Sequence, residues 1–127
     1  MFTGIIAAVG EIAALEPRGG DLRLTIDAAS LEMGDVKLGD SIACNGCCLT
    51  VVEQVGARFA VDVSVESLDL TTIGSWQLGS KINLEKAMQA GDRFGGHMVS
   101  GHVDGIGEVV ARHSDARSER FRLRVPA

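Results

Sequence analysis

With 127 residues, 46% of them hydrophobic and 23% charged, the chain is long enough for one packed domain and too apolar to be disordered. Its net charge is −5 and no two Lys or Arg residues adjoin, which argues against the dense basic patches that recruit nucleic acid or anionic membrane. The longest uncharged stretch, residues 41–52, falls short of the roughly 20 apolar residues of a transmembrane helix, and residues 1–6 carry no charged leader, so neither a span nor a secretory signal is expected and the protein reads as cytoplasmic.

Short β-branched runs predict strands over residues 5–15, 22–28, 41–54, 59–65 and 81–86. Turn residues separate them: Pro17-Arg18-Gly19-Gly20, Gly39-Asp40, Gly56 and Gly79-Ser80. Brief helical turns are expected over 67–73 and 85–89, and no long amphipathic helix is visible. Short strands joined by glycine-rich turns point to an all-β closed barrel over an α/β fold. The segments Leu38-Gly39-Asp40-Ser41-Ile42 and Leu78-Gly79-Ser80-Lys81-Ile82 are alike, each a tight turn launching a strand.

A longer repeat follows. Gly4 to Ile12 resembles Gly101 to Val109, 97 positions later, and after a two-residue insertion Leu22 to Ile26 resembles Phe121 to Val125. So long a period means duplicated domains instead of a solenoid. Residues 1–88 then form one complete barrel, 89–100 a linker, and 101–127 the first strands of a second, truncated copy. Two orphan strands have no core of their own, so they must pack on the first barrel, exchange into a partner, or stay mobile.

Three groups of residues carry possible chemistry. Cys44, Cys47 and Cys48 crowd into five positions, a poor disulfide framework. Cys44 and Cys47 have the CxxC spacing of a metal or redox site, but no second CxxC and no nearby His completes a ligand set, so no metal is expected and the thiols read as reduced. In a strand, Cys48 and Thr50 share one face while Cys47, Leu49 and Val51 share the other. Asn45-Gly46 favours a turn or bulge just before them. This is either an ordinary buried strand or one that aims a thiol and a hydroxyl at a ligand. In Gly95-Gly96-His97-Met98-Val99-Ser100-Gly101-His102, glycines flank two histidines, giving either a hinge or a close approach with general acid–base capacity. Asp62, Ser64 and Glu66 would alternate onto one face as either the wet side of the barrel or a stripe for a polyhydroxyl chain.

Met1-Phe2-Thr3-Gly4-Ile5, Asn45-Gly46-Cys47-Cys48-Leu49-Thr50-Val51, Glu66-Ser67-Leu68 and Gly95 to Gly105 resemble, in order and spacing, the signatures of the riboflavin synthases. The resemblance implies two similar six-stranded Greek-key barrels and a dismutation of 6,7-dimethyl-8-ribityllumazine to riboflavin and 5-amino-6-ribitylamino-uracil, with no cofactor or metal. It implies ligand contacts from Gly4, Ile5 and Ile6, from Cys48, Leu49 and Thr50, from Asp62, Val63, Ser64, Val65, Glu66 and Ser67, and from Gly101, His102 and Val103. Cys48, His97 and His102 are the implied groups for proton handling or nucleophile stabilisation. Ser67 stands where the family often has Thr, which keeps the hydroxyl. The implied partners are the lumazine, riboflavin and further copies of the chain: a homotrimer for the intact enzyme, a dimer for a first barrel alone. A non-catalytic lumazine- or flavin-binding antenna protein is the runner-up, expected to lack Cys48 and the paired histidines. A barrel without a ligand is the third reading.

Overall fold

The computed structural model describes residues 1–93 and 95–126. Six strands, β1 (Ala8–Arg18), β2 (Asp21–Asp27), β3 (Ser41–Cys44), β4 (Cys47–Val55), β5 (Arg58–Val63) and β6 (Lys81–Lys86), close into an antiparallel barrel in the order β1-β2-β5-β4-β3-β6. Strands β3, β4 and β5 form a meander and β6 returns beside β3, which is the Greek-key order. Among the described residues no helix is long and apolar enough to cross a membrane.

Alternation explains the closure. Leu24 and Ile26 on β2, Leu49 and Val51 on β4, Phe59, Val61 and Val63 on β5, and Ile82 and Leu84 on β6 all point inward and are buried. Leu24, Ile26, Ile42, Val61, Ile82 and Leu84 are each 0% exposed. Each such aliphatic contributes about 1.5–3 kcal/mol relative to leaving it in water. Register shifts at Ile12/Ala14 on β1 and Val51/Glu53 on β4 mark bulges that bend the strands around this core.

Where β1 passes between β2 and β6 there is no room for a side chain at Gly10. An added Cβ would sit 2.5 Å from the Asp27 carbonyl oxygen and 2.6 Å from Leu84 Cδ1. Gly10→Ala is therefore expected to destabilise the barrel by about 1–3 kcal/mol, read as a lower denaturation midpoint at unchanged m-value.

Several expected boundaries are corrected. The single strand expected over 41–54 is two strands, β3 and β4, joined by Asn45 (φ 48°) and Gly46 (φ 83°). Two consecutive positive φ values make the twisted two-residue turn that suits a hairpin. Residues 5–7 precede β1, which instead runs on through Pro17 to Arg18. The strand expected to reach residue 65 ends at Val63, because the Ser64 hydroxyl accepts from the Ser67 amide at 3.3 Å and starts α1 (Val65–Leu70). A 3-10 turn, Ile73–Ser75, follows. The helical turn expected over 85–89 is absent, since Lys86 is still the last residue of β6.

The remaining strands, β7 (Glu108–Asp115) and β8 (Ser118–Arg124), pair with each other and are exposed throughout. Their register repeats that of β1 and β2. Ile12 opposite Ile26 corresponds to Val109 opposite Leu123, and the bulge between Ile12 and Ala14 recurs between Val109 and Ala111. The offset is 97 in both strands, so the two-residue insertion inferred from sequence is not there. Phe121 and Leu123 occupy the places of Leu24 and Ile26. A slip of two residues keeps every side chain on its face, so hydrophobic pattern alone does not distinguish the two alignments.

Candidate functional site

The hairpin at Asn45-Gly46 aims β4. The Asn45 amide donates to the Asn83 carbonyl at 2.8 Å, and the Asn45 side-chain oxygen accepts from the Asn83 amide at 2.7 Å, which fastens the turn to the β6 strand. From there Cys47, Leu49 and Val51 enter the core while Cys48 and Thr50 stand on the outer face, the expected division of faces.

A strap of later residues crosses that outer face. The Phe2 amide donates to the Val99 carbonyl at 2.7 Å and the Val99 amide returns a bond to Phe2 at 2.9 Å. The His97 amide donates to the Thr3 carbonyl at 2.8 Å, and the Cys48 amide donates to the Gly101 carbonyl at 2.9 Å. Gly101 has φ 77°, and a Cβ there would lie 2.8 Å from Cys48 Cβ and 3.0 Å from Phe2 Cε2. Only glycine lets the strap come this close. Phe2 is 1% exposed beneath it, and Val103 packs against the core.

The amino-terminal arm of this clasp is fixed by Glu85. Its carboxylate accepts from the Thr3 amide at 2.7 Å, the Thr3 hydroxyl at 2.7 Å and the Gly4 amide at 3.1 Å, and the residue is only 9% exposed. A carboxylate so enclosed is tolerable because backbone and hydroxyl donors replace its water.

The polar stripe of the barrel runs across the strands, not along one. Alternation of Asp62, Ser64 and Glu66 does not continue past Val63, since Ser64 caps α1 and Glu66 lies in its first turn. Instead Arg23 on β2 stands opposite Asp62 on β5, and Thr50 on β4 opposite Ser41 on β3. Thr50 and Asp62 each lie one residue beyond Val51–Val61, the last pair that β4 and β5 make at this end. Two cross-strand pairs, Arg23–Asp62 and Thr50–Ser41, thus make up the polar row at this end of the barrel. Arg23 Nε and Nη2 donate to the two Asp62 oxygens at 2.7 and 3.0 Å, and this hydrogen-bonded guanidinium holds the Asp62 carboxyl below the usual carboxylate range.

The other candidate residues are distributed as follows. Leu49 and Val63 turn their side chains into the core, so only their backbone faces outward. Val65 is exposed, and Ser67 is half-buried with its amide bonded to Ser64. Gly4, Ile5 and Ile6 are exposed; the Gly4 amide donates to Glu85, and the Ile5 side chain lies against Gly95 and Gly96. Ile5 borders a cavity of about 620 Å³ that is also lined by Val36, Lys37, Lys86 and Met88. His97 and His102 are exposed on the strap, with His102 Nε2 3.2 Å from Asp104 Oδ1. Burial pushes the Cys44 and Cys47 thiols up, so both stay protonated and only Cys48 presents an exposed thiol. Among the described residues no group of three or more His, Cys, Asp or Glu is placed to hold a metal ion. Arg23 and Glu85 are not legible as site residues in the sequence, and Phe2 stands out there only within the Met1-Phe2-Thr3-Gly4-Ile5 motif. Their importance depends on which strands are neighbours, which spacing along the chain does not reveal.

Comparison with known proteins bears on this arrangement. A family model described as the lumazine binding domain matches residues 3–87. The riboflavin synthase of Photobacterium phosphoreum is 46% identical over 127 residues, covering 100% of this chain and 58% of the relative. That of Brucella abortus is 47% identical over 131 residues, covering 99% and 64%, and that of Bacillus subtilis 44% over 125 residues, covering 98% and 58%. The chain therefore spans about three fifths of the length of these relatives. Among solved structures, LumP in complex with riboflavin matches with a TM-score of 0.82 at 25% identity, over 99% of this chain and 68% of LumP. LumP with 6,7-dimethyl-8-(1'-D-ribityl) lumazine matches with 0.82 at 25%, over 99% and 69%. A Greek-key barrel whose outer face carries Cys48 under a glycine strap, with this match over most of the barrel, makes the chain a member of the lumazine-binding-domain family.

Proposed function

We propose that the chain is the first barrel and the opening strands of the second barrel of a riboflavin synthase. In this reading residues 1–88 form the ligand-binding barrel, 89–100 the connection, and 101–127 the start of the second unit. It binds one molecule of 6,7-dimethyl-8-ribityllumazine or riboflavin on the outer face of β4 and β5. The observation that carries this is the juxtaposition of Cys48 with Gly101 beside the Arg23–Asp62 and Thr50–Ser41 pairs. Backbone groups at Cys48 and the strap suit the polar edge of a pterin-like ring. The hydroxyl and carboxylate row suits a ribityl chain, because both can accept and Thr50 and Ser41 can also donate.

The reaction joins a four-carbon unit of one lumazine to a second lumazine, giving riboflavin and 5-amino-6-ribitylamino-uracil. No external oxidant or cofactor enters. The electron-poor ring acidifies its own C7 methyl group, so a weak base suffices, and holding two ligands in register supplies much of the acceleration. Cys48, His97 and His102 are the groups offered for proton transfer or nucleophile stabilisation. Gly4 to Ile6 contribute backbone contacts. A second ligand needs a second barrel, so the intact protein acts as a homo-oligomer, a trimer, in the cytoplasm. The present chain alone binds without efficient turnover and pairs as a dimer.

A non-catalytic antenna protein is the second reading, favoured by the likeness to LumP complexes. Identity of 46% to a synthase against 25% to LumP, together with retention of Cys48, His97 and His102, supports the enzyme.

The test is a fluorescence titration of the chain with the lumazine, with riboflavin formation followed in parallel. Saturable binding with little product is the expected result. Absence of binding would overturn the reading.

A further inference from the structure

The Arg23–Asp62 pair is more than a surface ion pair in its geometry. The two side chains stand directly opposite on β2 and β5, and the guanidinium engages both carboxylate oxygens through parallel bonds of 2.7 and 3.0 Å. Such a fork fixes the plane of the carboxylate as well as its charge, which a single lysine contact does not do. Arg23 is itself braced, with Nη1 3.9 Å from Glu53 Oε2 on β4, and its side chain is only 22% exposed against 44% for Asp62. The more enclosed partner therefore holds the more open one. Each Asp62 oxygen keeps an acceptor position outside the fork, and Thr50 stands outward on β4 one residue beyond the Val51–Val61 pair, as Asp62 does on β5.

We infer that Arg23 is a positioning residue that sets the barrel's selectivity for a polyhydroxyl chain, by orienting the free acceptor positions of Asp62 toward hydroxyl groups carried across the Asp62–Thr50 row. This rests on the proposal that Asp62 and its neighbours face the ribityl chain, and adds the residue that makes Asp62 competent for it. The ring of the ligand, held elsewhere, does not depend on Arg23.

The experiment compares two ligands on the 127-residue chain: the ribityl lumazine and the same ring bearing a methyl group at N8 in place of the chain. Dissociation constants are measured for the unaltered chain, Arg23→Gln and Arg23→Lys. The expected result is preference for the ribityl ligand in the unaltered chain. Arg23→Gln should weaken that ligand about tenfold, the scale of one charge-assisted hydrogen bond, and leave the methyl ligand within about twofold. Arg23→Lys, which keeps the charge and loses the fork, should fall between. Equal weakening of both ligands in both variants, or no loss of preference in either, would overturn the positioning role while leaving the binding reading intact. An unaltered chain that binds the two ligands equally would instead remove the assignment of the Asp62 row to the ribityl chain, and this inference with it. The lysine variant guards against a folding defect in the glutamine variant, and a common melting profile for the three proteins is the control.

Discussion

Gly101→Ala should detach the strap from β4 at Cys48. The added methyl group would meet Cys48 Cβ at 2.8 Å and the Phe2 ring at 3.0 Å, on a backbone whose φ of 77° is already left-handed. Strain of about 1–2 kcal/mol from the backbone and about 1–3 kcal/mol from the overlap exceeds the roughly 1 kcal/mol that the Cys48 amide gains from the Gly101 carbonyl. The strap then lifts and the barrel beneath it stays closed, since its own ladders do not involve residue 101. Two readouts follow. Hydrogen exchange at the Cys48 amide, which donates to the Gly101 carbonyl, should accelerate several-fold. Lumazine affinity should fall by about tenfold or more, equivalent to 1.4 kcal/mol, because the site loses one wall. Unchanged exchange at that amide would mean that the strap absorbs the methyl group without moving.

Glu85→Leu is the second large effect, and it acts on stability. Glu85 is the acceptor of the Thr3 amide, the Thr3 hydroxyl and the Gly4 amide. Leucine fills the space but leaves these donors without an acceptor in a partly buried setting. The cost is about 2–3 kcal/mol, which for a domain of this size lowers Tm by roughly 10 °C. Because Phe2 and Val99 pair just beyond Thr3, the loss should also loosen the strap, seen as faster amide exchange at Val99 and Cys48. A Tm unchanged within about 2 °C would show that water replaces the carboxylate at no penalty.

How far the sequence foretold this molecule depends on the range of each interaction. Strands such as β2 and β6 were legible because alternation is local, and the outward placement of Cys48 and Thr50 followed from the same period. The Asn45-Gly46 signal was visible, but its consequence, two strands where one was expected, depends on φ values that only the fold specifies. The offset between the two hairpins was misjudged at β8 for a clear reason: Leu22 to Ile26 fits Phe121 to Val125 as well as its true counterpart does, and only the bulge at Val109/Ala111 decides. The polar stripe was sought along β5 because the chain shows Asp62, Ser64 and Glu66 in a row. The actual row crosses four strands, and neither Arg23 nor Ser41 is near Asp62 in sequence. Contacts such as Cys48 with Gly101 and Thr3 with Glu85 were illegible for the same reason. They join chain ends to the barrel and obey no period.

The exposed β7–β8 hairpin has the same logic. Phe121 and Leu123 are 55% and 60% exposed, whereas Leu24 and Ile26, at the matching places, are 0% exposed. Apolar side chains patterned for an interior are expected to be covered when the strands that complete the second unit are present.

The most direct test of the account is to map amide shifts of the isotopically labelled chain while 6,7-dimethyl-8-ribityllumazine is added. Saturable shifts are expected at Gly4 to Ile6, Cys48 to Thr50, Asp62 to Ser67 and Gly101 to Val103. Shifts confined to the cavity around Lys37 and Met88, or no saturable shifts at all, would contradict the account.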